Sequence, residues 1–219
     1  MPTADSEPRR PYDARARRER ARDDRARTRA RVIEVAREAF LADGYGATSL
    51  SAVAAGAGVS VQTIYLAVGS KAELLRHVVR DTVLAGEAVA AVSEASWVAE
   101  LAVETDPAAQ IEILVRESVS LAARAYPIWR VMAEAATLDA ALLPDLKELD
   151  DGRHRDQRAL VGLLRGVVLP LDRAADIVHG ILSPELWRLW GIERGWPREE
   201  VEAFARDVLT HALHRPRPR

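Results

Sequence analysis

The sequence predicts an all-α fold of about nine helices, and three observations support this prediction. No long run of β-branched residues alternates with polar ones, as a half-buried strand would require. Apolar residues recur instead at helical spacing, as at Val32, Ala36 and Phe40. With 219 residues, of which 48% are apolar, the chain is long enough to bury a substantial core.

Three helices are predicted in the N-terminal part of the chain. The first runs from about residue 24 to about residue 42 and ends at Gly44. Two short helices follow at about 49–56 and 60–67, and the small residues at 56–59 form a tight turn between them.

Capping and proline patterns divide the rest of the chain. Ser70 and Glu73 have the spacing of a capping box, so a long helix is expected to begin after Ser70. An Asp-Pro pair at 106–107 is typical of a helix N-terminus, and Pro127 predicts a break in the helix that starts there. The remaining helices are expected at about 107–125, 127–137, 140–166, 172–191 and 197–214.

Charge is distributed unevenly, although the net charge is only -2. Residues 1–31 contain eleven arginines and six acidic residues, whereas residues 81–219 contain sixteen basic and twenty-three acidic residues. A basic segment ahead of an acidic bulk is typical of an arm that binds a polyanion. The alternative is a solvated, partly helical surface, on which Arg18, Arg22 and Arg25 would share one face with Arg29.

Several classes of protein are disfavoured. The absence of cysteine excludes disulfide scaffolds and thiolate zinc sites, and it fits the cytoplasmic location that we predict. The longest uncharged stretch, residues 44–70, is too rich in Gly, Ser, Thr and Gln for a membrane span, so no membrane partner is expected. No nucleotide-binding glycine motif or nucleophile elbow is present, so we predict no enzyme, no catalytic residue and no cofactor. His211 and His214 lack a third ligand nearby, and no metal site is predicted.

The same uncharged stretch has the pattern of a helix-turn-helix. Two short helices are joined by a glycine-bearing turn, and their small Ala residues allow close approach. Glutamine can bond the edge of adenine and threonine can offer its methyl group to thymine, so the second helix is suited to the major groove of double-stranded DNA. Its exposed side chains are expected to be Ser60, Gln62, Thr63 and Tyr65.

An ordered set of small, polar and apolar residues extends this pattern over about residues 30–80. The set comprises Gly44-Tyr45, Ala47-Thr48-Ser49, Val53-Ala54, Ala57-Gly58-Val59-Ser60, Thr63-Ile64-Tyr65 and Ser70-Lys71-Ala72-Glu73-Leu74-Leu75. Together these residues resemble the DNA-binding domain of the tetracycline-repressor (TetR) family of transcriptional regulators. The segment from Leu182 to Leu189, with Arg194-Gly195-Trp196 after it, is also similar to the last-but-one helix and connector of many members.

The resemblance implies a homodimer with a three-helix DNA-binding head and a helical ligand-binding domain in each subunit. We accordingly divide the chain into an Arg-rich disordered arm at 1–22, a helix-turn-helix domain at 23–70, and a ligand-binding and dimerisation domain at 71–219. The resemblance also implies that Tyr65 and Lys71 contact phosphates. The predicted DNA-binding residues are Arg27, Arg29, Thr48, Ser60, Val61, Gln62, Thr63, Tyr65 and Lys71.

The chain departs from the common family pattern directly after Tyr65. Where members usually carry an aromatic residue, a His or Tyr, and Phe, this chain has Leu66, Ala67 and Val68. We therefore expect that a DNA contact at position 67 is lost and that aliphatic side chains pack the junction to the next helix. The Arg-rich arm could compensate for the lost contact.

Aromatic and apolar side chains of the second domain are candidates for a ligand pocket and a dimer interface. Such residues either wall a cavity or fill ordinary core. The predicted ligand-binding residues are Trp97, Tyr126, Trp129 and Met132. The last two helices could bury their apolar stripes within one subunit or across a two-fold axis, and the resemblance favours the axis. The predicted interface residues are Ile177, Ile181, Leu182, Leu186, Phe204, Val208 and Leu209.

These patterns predict a ligand-responsive transcriptional regulator that acts as a repressor. It would bind a palindromic operator as a homodimer, and a small apolar or aromatic molecule would release it. One alternative is a DNA-binding regulator that has no small-molecule ligand or acts as an activator. An alternative from another class is a helical interaction protein that does not bind DNA.

Overall fold

The structure is a computed structural model that describes residues 14–84 and 90–214. Over these ranges the secondary structure is helical and contains no strand, which confirms the predicted all-α class. Short 3-10 turns lie at Val92–Glu94 and Ala140–Leu142, and a π-helical turn lies at Arg188–Glu193. The α-helices are α1 (Ala14–Ala47), α2 (Leu50–Ala57), α3 (Val61–Ala67), α4 (Lys71–Leu84), α5 (Ser96–Val103), α6 (Pro107–Leu138), α7 (Leu143–Val161), α8 (Leu171–Ile181), α9 (Pro184–Trp187) and α10 (Arg198–His214).

Helix α1 begins at Ala14, ten residues before the predicted start. Arginine and alanine dominate its first turns, and both are strong helix formers. The disordered arm predicted for residues 1–22 is therefore wrong from residue 14 onward, and residues 1–13 lie outside the described residues. Gly44 leaves the helical conformation with φ 75° and ψ 173°, close to the predicted end, and one further turn reaches Ala47.

A first hydrophobic cluster joins α1–α4 to the C-terminal half of α6. The predicted stripe at Val32, Ala36 and Phe40 is fully buried in it. Ile128 and Met132 of α6 enter the same cluster. Because each large apolar side chain contributes about 1.5–3 kcal/mol on burial, α6 is an integral part of the core of the N-terminal helices.

A second hydrophobic cluster holds together α5, the N-terminal half of α6, the end of α7, α8 and α10. Ile111, Leu114, Leu160 and Leu209 are almost completely buried in it. Helix α5 and the 3-10 turn before it were not predicted, because their short apolar run has no capping or proline pattern. Helix α6 contributes to both clusters and so links the two halves of the chain.

Proline positions account for two further differences from the predicted helices. Helix α6 continues through Pro127, although a proline inside a helix costs about 3 kcal/mol. The buried residues on either side of it, Ala125 and Ile128, offset that cost. The helix predicted at 172–191 instead breaks near Pro184, because Ser183 adopts an extended conformation and its hydroxyl accepts a hydrogen bond from the Leu186 N–H.

Gln110 connects three segments through its buried side-chain amide. Its Nε2 donates to the carbonyl oxygens of Leu101 and Leu163 at 3.0 Å, and its Oε1 accepts from the N–H of Arg165 at 2.7 Å. The amide thereby satisfies backbone groups at the end of α5 and in the loop after α7.

We expect Gln110→Leu to lower the free energy of unfolding by about 3 kcal/mol, because three backbone groups would stay buried without a partner. Urea unfolding followed by circular dichroism measures this loss. Gln62→Leu, at an exposed position, is the control and should change stability by about 0.5 kcal/mol or less. A loss below about 1 kcal/mol for Gln110→Leu would show that the three hydrogen bonds are dispensable.

Candidate DNA-binding surface and ligand cavity

Helices α2 and α3 meet at 95°, which is typical of a helix-turn-helix. Ser49 caps α2, and its hydroxyl accepts from the N–H of Ala52. Gly58 ends α2 in the left-handed conformation at φ 66°, where a side chain would be strained. Ser60 then caps α3, as predicted.

Helix α3 has one buried side and one side that faces outward. Ile64 is completely buried and anchors the helix in the first cluster. Gln62 is exposed, and Tyr65 and Leu66 are 53% and 80% exposed. We call Ser60, Gln62, Thr63, Tyr65 and Leu66 the reading face.

In the predicted base-contacting segment, Ser60 to Thr63, only some side chains are free to contact another molecule. The Ser60 Oγ accepts from the Thr63 N–H at 3.0 Å and lies 2.8 Å from the Thr63 Oγ1, so the two hydroxyls satisfy each other. Val61 is half-buried against the first cluster. Gln62 is therefore the side chain of this segment whose amide extends into solvent.

One expectation about neighbouring residues is wrong, and another holds only in part. Thr48 is only 4% exposed, and its hydroxyl donates to the Gly44 carbonyl at 2.8 Å, so it closes the turn after α1 and does not face outward with the reading face. Aliphatic packing was expected at 66–68, and Val68 and Ala67 do pack in the first cluster, whereas Leu66 extends outward. The sequence pattern missed Leu66 because a leucine beside a helix junction usually belongs to the core.

The basic part of α1 lies on the protein surface. Arg27 forms an exposed ion pair with Asp24 at 2.7 Å. Arg29 donates from its Nη2 to the Nδ1 of His77 on α4 at 2.9 Å. Burial and the nearby Arg29 guanidinium lower the pKa of His77, which favours the neutral ring that can accept this bond.

Lys71 lies at the start of α4 and is half-buried. Its Nζ is 4.3 Å from the centre of the Tyr45 ring and donates to the carbonyl of Gly46 at 3.4 Å. Burial lowers its pKa. The ammonium group thus fastens α4 to the turn before α2 and stays partly exposed.

Two polar contacts, which we call the junction, join the N-terminal helices to the region between α6 and α7. The Tyr45 hydroxyl donates to the Oδ2 of Asp139 at 3.3 Å, and burial together with Asp139 raises the pKa of that hydroxyl. Arg76 of α4 forms an ion pair with Asp145 at 2.8 Å. The sequence pattern could not indicate these pairs, because their members are far apart in the chain.

A cavity of about 450 Å³ lies between α4, α6, α7 and the 3-10 turn at Val92–Glu94. This volume is typical of a site for a small organic molecule. Its walls are mainly apolar, and the larger apolar residues among them are Val79, Val83, Leu84, Val92, Leu121, Ile128, Trp129, Leu149, Leu160 and Leu182. Asp156 fixes the 3-10 turn at its edge, because its carboxylate accepts from the Ser93 hydroxyl at 2.7 Å and from two backbone N–H groups.

No single helix in 14–84 or 90–214 is long and apolar enough to cross a membrane, and the bent pair of adequate length and composition is α2 with α3. The same residues contain no group of three His, Cys, Asp or Glu side chains that could hold a metal ion.

Comparison with known proteins agrees with the helix-turn-helix geometry. Residues 32–78 match the family model for bacterial regulatory proteins of the tetR family. Comparison with curated protein sequences finds no match.

Solved structures share the fold over most of the chain. A structure assigned to the tetR family from Mesorhizobium loti has a TM-score of 0.65 and 20% identity, over 87% of this chain and 98% of its own. FadR from Bacillus subtilis, solved in complex with stearoyl-CoA, has a TM-score of 0.64 and 17% identity, over 84% and 99%. NalD, the secondary repressor of the MexAB-OprM multidrug efflux pump in Pseudomonas aeruginosa, has a TM-score of 0.63 and 19% identity, over 88% and 98%.

Only one of the four ligand-binding residues predicted for this tetR-type fold lines the cavity. Trp129 is part of its wall. Met132 is instead buried in the first cluster, and Trp97 packs against the second cluster. Tyr126 is half-buried and does not line the cavity either. The residues that replace them come mainly from α4 and α7, which the sequence pattern did not bring together.

The predicted dimer residues divide into buried and accessible groups. Leu182 and Leu209 are buried in the second cluster of their own subunit, so the prediction that they contact a partner is wrong. Ile177 and Ile181 pack against the same cluster and are half-buried. The partly exposed members are Leu186, Phe204 and Val208, and Phe204 also contacts the Trp190 and Trp196 rings.

Proposed function

We propose that the protein is a ligand-responsive transcriptional repressor that binds a pseudo-palindromic operator as a homodimer. A small apolar or aromatic molecule in the cavity releases it from DNA. The observation that carries this proposal is that one helix serves both sites. Helix α4 begins at the helix-turn-helix with Lys71, and its later residues Val79 and Val83 line the cavity.

Operator binding combines the reading face with the basic surface of α1. Gln62 is suited to an adenine edge, and the apolar Leu66 is suited to a thymine methyl group. Tyr65, Lys71 and the arginines of α1 supply phosphate contacts, which make the affinity depend strongly on salt. A regulator of this kind acts in the cytoplasm, where bacterial chromosomal DNA lies.

Release from DNA follows from the connection between α4 and α6. Both helices line the cavity and belong to the first cluster, and Arg76 ties α4 to Asp145 at the start of α7. A ligand that prefers a different separation of α4 and α6 shifts the population toward a spacing of the two reading faces that does not fit the operator. By linkage, the operator weakens ligand binding by the same factor.

Similar proteins support ligand-responsive repression over the alternatives. FadR is solved with stearoyl-CoA, and NalD is a repressor. A regulator without a ligand has no need of an apolar cavity of about 450 Å³. A helical interaction protein would show no salt-sensitive affinity for duplex DNA, so one binding experiment separates it from the proposal.

Base reading and phosphate binding predict different effects of substitution. We expect Gln62→Ala to lose about 1–3 kcal/mol of discrimination at particular base pairs. We expect Lys71→Ala to weaken binding to all sequences alike and to reduce the salt dependence. Fluorescence anisotropy measures both effects on an operator selected from random duplexes and on its single-base variants. Lys147→Ala, the matched control at the only other lysine, should behave as wild type. Uniform weakening by Gln62→Ala would contradict its role as a base reader.

The cavity wall predicts a separate effect on ligand binding. We expect Trp129→Ala to weaken binding of the fluorescent probe 8-anilinonaphthalene-1-sulfonate about tenfold, because the indole supplies a large part of the apolar contact. Operator affinity should stay within about threefold of wild type, which corresponds to about 0.7 kcal/mol. Trp97→Phe, outside the cavity, is the control. Unchanged probe affinity in Trp129→Ala would exclude the cavity as the probe site.

The proposed homodimer can be tested at Val208, a partly exposed residue of α10. A carboxylate at position 208 would have to lose its hydration in a dimer interface, so we expect Val208→Glu to produce monomers and to lose operator binding. Sedimentation equilibrium measures the first effect. Thr210→Glu, on another side of α10, should remain dimeric. A dimer that persists in Val208→Glu would place the interface elsewhere.

A further inference from the structure

The mainly apolar cavity also has polar lining residues, and two of them lie side by side on α7. Arg153 and Gln157 are four residues apart, so they lie on the same side of the helix, and both line the cavity. Gln157 is only 6% exposed. Buried polar groups are costly unless they are hydrogen-bonded, so the bonds they still lack indicate which ligand group would fit.

The carboxylates that line the cavity are already engaged. Glu148 accepts from the Nη2 of Arg155 at 2.5 Å. Asp156 accepts three hydrogen bonds from the 3-10 turn at Val92–Glu94. The Asp156 carboxylate is thus committed to the turn, whereas Glu148 is a largely exposed carboxylate whose charge Arg155 balances.

His179 determines which end of the Gln157 amide faces the cavity. The Nη2 of Arg153 lies 2.7 Å from the His179 Nε2, and because a guanidinium can only donate, Nε2 is the ring nitrogen without a proton. The proton is therefore on Nδ1, which lies 2.8 Å from the Gln157 side chain and donates to its Oε1. Burial and the Arg153 guanidinium lower the pKa of His179, in agreement with a neutral ring.

This arrangement leaves one donor for a ligand. The Oε1 of Gln157 accepts from His179, so its Nε2 is the end of the amide that remains for a ligand. The Nε of Arg153 has no hydrogen-bond partner among the described residues, but it is completely buried and leaves no room for a ligand atom. The charge of Arg153 is shared with Asp150, whose Oδ1 accepts from Nη2 at 3.0 Å. The α7 side of the cavity therefore offers the N–H groups of the Gln157 amide in a nearly neutral setting.

We propose that the ligand carries an oxygen acceptor, either a carboxylate or a carbonyl, at one end of an apolar body. The Nε2 of Gln157 donates to that oxygen, and the walls near Trp129 and Ile128 hold the apolar part. This inference rests on the proposed function, because it takes the cavity as the site of the releasing molecule.

Three probes with the same ten-carbon chain test the acceptor requirement on the full-length protein. Decanoate and methyl decanoate present acceptor oxygens, whereas decylamine presents only donors at neutral pH. We expect isothermal titration calorimetry to give at least about tenfold tighter binding for the two acceptors. The carboxylate and ester arms then distinguish an acid from a neutral carbonyl ligand. Equal or tighter binding of decylamine, or no binding of any probe, would overturn the inference.

Substitutions at Gln157 test the residue itself. We expect Gln157→Leu to weaken binding of the acceptor probes about ten- to a hundredfold. Gln157→Glu keeps an oxygen for His179 but replaces the donor, so it should reject decanoate and gain affinity for decylamine. Arg158→Gln is the control, because Arg158 pairs with Asp172 outside the cavity. Wild-type affinity for decanoate in both Gln157 variants, with unchanged thermal unfolding, would contradict the role of Gln157.

Release of the operator separates this inference from the proposed function. Decanoate that binds at the expected affinity but does not release DNA would contradict ligand-responsive repression and leave the acceptor rule intact. Release by decylamine at the same concentration as by decanoate would support the repressor function and overturn the acceptor rule.

Discussion

The structure depends on the burial of the C-terminal half of α6 against the N-terminal helices. Ile128 and Met132 complete a core that α1–α4 do not close alone. Two polar contacts, Tyr45 with Asp139 and Arg76 with Asp145, set the orientation in which this burial occurs. Since α6 also lines the cavity, the position of the helix-turn-helix is tied to the volume and shape of that cavity.

Local chemistry made much of the fold predictable. The Ser70–Glu73 capping box and the cap at Ser60 depend on residues three positions apart, so the sequence alone indicated the starts of α4 and α3. Pro127 was misleading because its effect competes with burial of the whole of α6, which involves residues far along the chain. The early start of α1 was not predicted, because a dense run of charged residues is also typical of disordered segments. Arg and Ala nevertheless favour the helical conformation.

The functional sites were predictable where the outcome depended on nearby residues in the chain, and not where it depended on distant ones. Helical periodicity predicted that Gln62 and Tyr65 face outward, and both are exposed. Thr48 was misassigned because a short hydroxyl side chain can turn toward its own backbone, a choice that residue type does not reveal. In the sequence, Arg153 and Gln157 look like ordinary surface positions of a charged helix. Only the packing of α8 against α7 brings His179 to them and fixes the orientation of the Gln157 amide.

In the proposed complex with DNA, the helical conformation of the basic segment from Ala14 lowers the entropic cost of binding. A disordered arm has to lose conformational freedom at a cost of about 1–2 kcal/mol for each residue that becomes ordered on the phosphates. Arginines that already project from a helix do not incur that backbone cost, so in that complex more of their electrostatic attraction would remain as affinity. The same rigidity fixes the distances between the charges, and the proposed complex would therefore favour DNA whose phosphates match that spacing.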